Sequence, residues 1–255
     1  MIARDLIPNF LSKKLWGDRL KYGIQPVIED PQWIEWQERQ LEFYKLNQRK
    51  GIGSLVNDSG YSVMDEIDLK EKCVLEFGPG DFRHHKFWKS KPRKYIIADV
   101  HEGMMQIASS VLQKNKISFE SFLIERNEKL PLSKNSVDII VSFYSLEHLY
   151  PLENYLEEMK YYLKPDGIIV GAIPAEGGLL WALGRFLTSR QWLHKNTNID
   201  YDKLICWEHP NYADFILKKL DQNFLRIFLK SWPLGILPIL DCNLTFRFCY
   251  KNCLK

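Results

Sequence analysis

The sequence predicts an α/β fold around a mostly parallel sheet, and three observations carry that prediction. Cys73-Val74-Leu75-Glu76-Phe77-Gly78-Pro79-Gly80 is a short apolar run that ends in an acid and a Gly-Pro-Gly turn. That order suits a buried parallel strand entering a tight loop, where glycines let another group approach the backbone. Tyr95-Ile96-Ile97-Ala98-Asp99 repeats the unit and places a second carboxylate twenty-three residues after Glu76. From about residue 70 onward, strand and helix patterns alternate, which argues for helices on both faces of the sheet.

Each element follows from local signals. Residues 1–50 read as a helical N-terminal extension. Its clearest part starts at the Asp30-Pro31 cap and runs through Trp33, Trp36, Leu41 and Tyr44. Gly51-Ile52-Gly53-Ser54 is expected to end it. Strand 73–77 leads to a short helical stretch near 83–90. Strand 95–99 leads to a helix over His101–Asn115, where Met104, Ala108, Val111 and Leu112 share one face. Phe119–Ile124 is the third strand. Val137–Ser142 is the fourth, introduced by the polar turn Ser133-Lys134-Asn135-Ser136. The next helix turns Leu152, Tyr155, Leu156, Met159 and Leu163 inward and stops at the turn Lys164-Pro165-Asp166-Gly167. Ile168–Ile173 is the fifth strand.

Residues 174–210 break the alternation and read as an inserted cap. A helix resumes at Tyr212–Leu220, and Phe224–Ser231 and Leu244–Tyr250 are two final strands. The apolar connector 232–240 between them cannot be one helix because of Pro233 and Pro238. It is expected to lie buried beneath the N-terminal helices, with Trp33 and Trp36 as partners. Contact with a membrane surface or a lipid-linked molecule is the alternative. The whole chain, 1–255, is expected to form a single domain.

Composition excludes several classes. A chain that is 45% apolar and 26% charged is that of a soluble globular protein, and a net charge of +3 does not predict nucleic-acid binding. The five cysteines, at 73, 206, 242, 249 and 253, form no Cys-x-x-Cys pair, and an odd count fits a reducing compartment. Met1–Asp5 lacks the basic-then-apolar signal-peptide pattern, and no apolar run reaches about 18 residues. The expected location is the cytoplasm.

Carboxylates at the tips of neighbouring strands commonly hold ribose hydroxyls, so Glu76 and Asp99 predict a nucleoside site. Beyond this, the chain resembles the class I S-adenosylmethionine-dependent methyltransferases over roughly residues 50–250. Val74-Leu75-Glu76-Phe77-Gly78-Pro79-Gly80 is similar to the first motif of that family, and Asp99 to its ribose-binding acid. Leu130–Ser142 resembles the approach to its fourth strand, and Leu146-Glu147-His148 and Leu163–Gly167 match two further landmarks in order. The resemblance implies a Rossmann-like seven-stranded sheet with an antiparallel C-terminal hairpin, and S-adenosylmethionine as cofactor. Two positions depart from the pattern. Phe82 stands where a third small residue is usual, so helix packing there must relax or the ring must serve as a wall. The acid that often contacts adenine is shifted within Glu125–Glu128.

By the same resemblance, the backbone of Gly78, Pro79 and Gly80 would take the amino-acid part of the cofactor, beside Glu76. Asp99 would take the ribose, with Val100 flanking adenine and Arg126 and Asn127 near its amino group. Ser142 and Phe143 would lie near the methyl group. His148, just after the fourth strand, is the candidate general base, since an imidazole titrates near neutrality; the alternative is that Glu147-His148 only caps the next helix. Some quinone-type relatives hold a divalent ion with Glu and His here, but Tyr144 and Ser145 occupy the neighbouring places, so no metal is expected.

Within the cap, Trp181, Arg185 and His209 are candidate acceptor contacts, because aromatic platforms with basic neighbours suit a sugar. His194 is a weaker acceptor candidate; His84-His85 is expected either to line the cofactor entrance or to be an exposed surface pair, and His101 to start a helix near the adenine rim. The expected activity is O-methylation of a sugar or glycan precursor, a subgroup resembling methyltransferases of bacterial surface-polysaccharide synthesis. Methylation of a lipid or quinone-like molecule and a non-catalytic binding module are the alternatives.

Overall fold

A computed structural model describes residues 2–44, 46, 51–125 and 129–253. Its strands are β1 (Cys73–Phe77), β2 (Lys94–Asp99), β3 (Phe119–Leu123), β4 (Val137–Phe143), β5 (Leu163–Pro174), β6 (Leu225–Trp232) and β7 (Thr245–Lys251). They form one seven-stranded sheet in the order β3-β2-β1-β4-β5-β7-β6. β1 to β5 run parallel. β7 is antiparallel to both of its neighbours, which makes β6 and β7 the expected hairpin. The helices are α1 (Asn9–Trp16), α2 (Arg19–Tyr22), α3 (Pro31–Phe43), α4 (Gly51–Tyr61), α5 (Glu102–Lys114), α6 (Leu152–Tyr162), α7 (Leu179–Leu187), α8 (Ser189–Asn196), α9 (Tyr201–Glu208) and α10 (Ala213–Asn223).

The central strands β1, β2 and β4 are buried on both faces, as their continuous apolar runs require. One face packs Leu75, Phe77, Ile96 and Ile140 against Leu152, Leu156 and Met159 of α6 and Ile216 of α10. The other packs Val74, Tyr95, Ile97 and Val141 against Tyr61 of α4 and Met105, Ala108 and Leu112 of α5. A third cluster joins the N-terminal segment to the cap: Trp33 and Trp36 of α3 bury against Leu193, Leu204, Ile205 and Trp207. At the start of α3, Asp30 accepts a hydrogen bond from the Gln32 N–H at 2.9 Å and Pro31 takes the first helical position, as the sequence predicts.

Three expectations are corrected. Gly51-Ile52-Gly53 does not end a helix but forms the first turn of α4. Lys164–Gly167 is not a turn outside the sheet. β5 starts at Leu163 and carries these residues as a bulge, since its register on β4 jumps from Val137↔Leu163 to Ile139↔Ile168. Asp138 fixes the bulge by accepting from the Lys164 Nζ and from the Cys73 N–H, each at 2.8 Å.

The third correction concerns the connector 232–240. It is not covered by the N-terminal helices: Leu234, Leu237 and Ile239 are exposed and Ile236 is 82% exposed. Trp33 and Trp36 are unavailable to it because Trp207 and Phe43 take their edges. Its backbone is held from within by Asn243, whose side-chain amide donates to the carbonyls of Leu237 and Ile239. Among the described residues, no helix is long and apolar enough to cross a membrane.

Candidate functional site

The register of β1 on β2 settles where the two predicted carboxylates point. Glu76 pairs with Ile97, and Asp99 lies two residues beyond Ile97. Side chains alternate along a strand, so Glu76 and Asp99 project from the same face. Their surroundings differ. Glu76 is fully buried, and its Oε2 accepts from the Tyr95 hydroxyl at 2.9 Å and from His84 Nε2 at 3.1 Å. Asp99 sits at the strand tip and accepts from the His101 N–H at 2.9 Å. Burial raises its pKa, with the Glu76 charge adding to the effect and the His101 and Val100 N–H groups opposing it. Val100, the next residue, is exposed.

The loop between the strands is shaped by its glycines. Gly78 has φ +68° and Gly80 φ +52°, values that disfavour any Cβ. A Cβ on Gly78 would stand 3.0 Å from the Ser145 Cβ, so the loop after β4 closes directly on the glycine loop. Ser145 is held there by a 2.7 Å hydrogen bond between its Oγ and that of the fully buried Ser142. From the N-terminal side, the Tyr44 hydroxyl donates to Asp81 Oδ1 at 3.2 Å. Phe82 follows at φ +59° and is fully buried against Tyr95 and Trp88, with ring centroids 5.1 and 5.5 Å away. The ring is therefore a wall of the core, and a 3-10 turn, Arg83–Phe87, replaces a packed α-helix. Phe143 is also turned inward, between Tyr61 and His84 at 5.1 and 5.0 Å. Arg126 and Asn127 lie outside the described residues.

A second group assembles where β5 meets the cap, and its centre is a residue that sequence reasoning missed. Glu176, fully buried just past β5, receives three side chains on Oε2: Arg185 Nη1 at 2.7 Å, His209 Nδ1 at 2.6 Å and Trp181 Nε1 at 3.0 Å. These are the three residues the sequence nominated as acceptor contacts. Burial alone would raise the Glu176 pKa, but Arg185 and His209 outweigh it and hold it down at about 2. Burial lowers the His209 pKa against the pull of Glu176. Glu176 is followed by Gly177-Gly178, so a strand-tip carboxylate before glycines was the available signal, as at Glu76.

His148 lies beside this group. Its ring centroid is 4.7 Å from that of His209, nearly perpendicular, and its Nδ1 donates to the Glu208 carbonyl at 2.6 Å. Its predecessor Glu147 is buried, and burial pushes its carboxyl up to about 7. His84 proves to be a buried partner of Glu76 rather than a surface residue.

Comparison with known proteins bears on the glycine loop and the strand tips beside it. The family described as "Methyltransferase domain" matches residues 75–171, from β1 through most of β5. A human protein named "Arginine-hydroxylase NDUFAF5, mitochondrial" is 31% identical over 54% of this chain and 38% of its own length. The chain thus spans well under half of that relative. "Malonyl-[acyl-carrier protein] O-methyltransferase" of Hamiltonella defensa subsp. Acyrthosiphon pisum (strain 5AT) is 22% identical over 70% of this chain and 68% of its own. A solved SAM-dependent methyltransferase from Aquifex aeolicus superposes with a TM-score of 0.55, covering 84% of this chain and 98% of that one at 19% identity, which shows the shared fold. The loop fits the group such enzymes carry: Gly78 and Gly80 leave backbone uncovered by any Cβ, and Asp99 offers a carboxylate at the adjoining strand tip. Residues 75–171 thus match a methyltransferase domain, in a chain that shares the fold of a solved SAM-dependent methyltransferase, and S-adenosylmethionine is the cofactor such a domain implies.

Proposed function

We propose that this chain methylates a hydroxyl of a polar acceptor, a sugar or glycan precursor, held between the ends of β4 and β5 and the cap. The observation that carries this reading is a concentration of buried polar atoms with no hydrogen-bond partner among the described residues. They are Arg185 Nε and Nη2, Glu176 Oε1, Tyr201 Oη and Glu147 Oε2. Arg185 responds to the charges of Glu176 and Tyr201, and Glu147 to that of Glu176, so these groups share one neighbourhood. Buried polar atoms are nearly always paired, and an orphaned cluster calls for a polar ligand or water. A hydroxyl-rich acceptor supplies both donors and acceptors.

On the cofactor side, the Gly78–Gly80 backbone holds the amino-acid part and Asp99 the ribose, with Val100 beside the adenine. Glu76 supports the loop from below through His84 and Tyr95. Bound S-adenosylmethionine supplies an electrophilic methyl group, and transfer needs the acceptor oxygen in line with it. The protein's task is placement: Ser142 and Ser145 wall the crevice, and the acceptor oxygen rests against His148. In the test, isotopically methyl-labelled cofactor is incubated with the protein and fractionated cell metabolites. Products carrying one labelled methyl group in place of a hydroxyl hydrogen should appear in the sugar or glycan fraction. Cofactor binding without any product would favour a binding module instead.

One observation favours a second reading. The exposed Leu234, Ile236, Leu237 and Ile239 offer an apolar tip that suits a lipid-linked acceptor. Labelled product confined to the lipid fraction would select it.

A further inference from the structure

We propose that His148, Glu208 and His209 form a binding site for one divalent transition-metal cation, at the junction of the loop after β4 and the end of α9. The inference deepens the methyl-transfer reading, since the site adjoins the Glu176 cluster. Each of the three residues offers a ligand atom, and those atoms lie within 4.8 Å of one another.

Proximity alone would be weak, but the outer contacts are those of a metal centre. A ligating imidazole is normally oriented by donating its other ring N–H to a carboxylate or a backbone carbonyl. Both histidines meet this condition. His209 Nδ1 is fixed on Glu176 Oε2 at 2.6 Å, and His148 Nδ1 on the Glu208 carbonyl at 2.6 Å. In each ring Nε2 is left for a cation. Glu208 is oriented in the same manner: Trp36 Nε1 donates to its Oε1. Its Oε2 lies on the His148 side, 3.4 Å from Nδ1. Three positioning contacts therefore come from three elements, α3, the end of β5 and the end of α9.

Two imidazoles and one carboxylate match zinc, manganese, cobalt or iron better than calcium or magnesium, which prefer oxygen ligands. Three protein ligands leave coordination positions open for water or an acceptor hydroxyl, whose pKa a cation would lower. His148 is the exposed member, so a cation has access from solvent and a ring able to close onto it. Arg185 is no obstacle, because Glu176 engages its charge at 2.7 Å.

The test uses the untagged full chain, stripped with chelator, without cofactor or acceptor. Cobalt(II) is titrated by visible absorption, and manganese and zinc by calorimetry. One saturating equivalent is expected, with a cobalt spectrum typical of mixed nitrogen and oxygen ligation. His148→Ala and Glu208→Gln should each weaken binding about 10–100-fold, whereas His194→Ala should not. His209 is packed on Glu176 and its loss endangers the fold, so the exposed His148 is the decisive position, with unchanged apo thermal unfolding as the control. No saturable binding, or binding undiminished in His148→Ala and Glu208→Gln, overturns the site. A chain that binds cobalt yet methylates nothing defeats only the functional reading; one that methylates without binding a cation defeats only the site.

Discussion

Arg185 Nη1 stands 2.7 Å from Glu176 Oε2, and both side chains are buried beneath the cap. Burial works against the guanidinium, yet the Glu176 charge more than compensates and raises its pKa above the ordinary value. Removing one partner of a buried pair strands the other charge. Glu176→Gln should therefore destabilise the protein by about 3–5 kcal/mol, whereas the double replacement Glu176→Gln with Arg185→Met should recover a large part of that loss. Urea unfolding of the two single variants and the double variant measures the coupling. Equal and additive losses would show that the pair is not coupled.

Asp99 is predicted to govern cofactor affinity. Asp99→Ala removes a charged acceptor for the ribose hydroxyls and should weaken S-adenosylmethionine binding by about 1.5–3 kcal/mol. The pH dependence has a definite sign. Burial raises the Asp99 pKa, so the ionised form, and affinity with it, is lost on acidification sooner than for an ordinary carboxylate near about 4. Calorimetric titrations across that range should show a decline for the parent chain and a flat profile for Asp99→Ala. An unchanged affinity in the variant would remove Asp99 from the site.

The placement of Glu76, Asp99 and the glycine loop was legible in sequence because strand tips and glycine turns encode geometry locally. Leu75-Glu76-Phe77-Gly78 and Ile97-Ala98-Asp99 place their carboxylates by alternation and register alone. The cluster around Glu176 was legible only as a set of residue types. Trp181, Arg185 and His209 were selected as polar and aromatic cap residues, but all three turn to Glu176, a contact that depends on how the cap folds back over β5. Contacts set by the folding of the cap leave no local periodicity. The connector 232–240 was misplaced for the related reason that apolar composition does not say which neighbour covers it. Trp33 and Trp36 found Trp207 and Phe43 instead.

Gly78 carries a prediction about the glycine loop. Its φ of +68° and the 3.0 Å separation that an added Cβ would have from Ser145 mean that alanine there is strained twice. The left-handed backbone costs about 1–2 kcal/mol for a residue with a side chain. Gly78→Ala should lower the urea midpoint accordingly and displace Ser145 from Ser142. Cofactor affinity should fall as well, because the loop backbone moves away. A variant with parental stability and affinity would show that the loop tolerates a side chain and does not close on Ser145.

Asp138 offers a test of the strand bulge at a distance from the site. It holds Lys164 Nζ and the Cys73 N–H, each at 2.8 Å, and so pins β5 to both β4 and β1. Burial pushes its pKa up, but Lys164 and the Cys73 N–H outweigh burial and lower it. A carboxylate depressed in the folded state adds stability that is fully present above its unfolded pKa of about 4 and is lost as pH falls through the lower folded value. Asp138→Asn should therefore cost about 1–2 kcal/mol at pH near 7. The gap between variant and parent should persist down to about pH 4 and then close. Urea unfolding at neutral and acid pH measures both arms. A gap that stays constant in acid would mean the side chain acts by shape and not by charge.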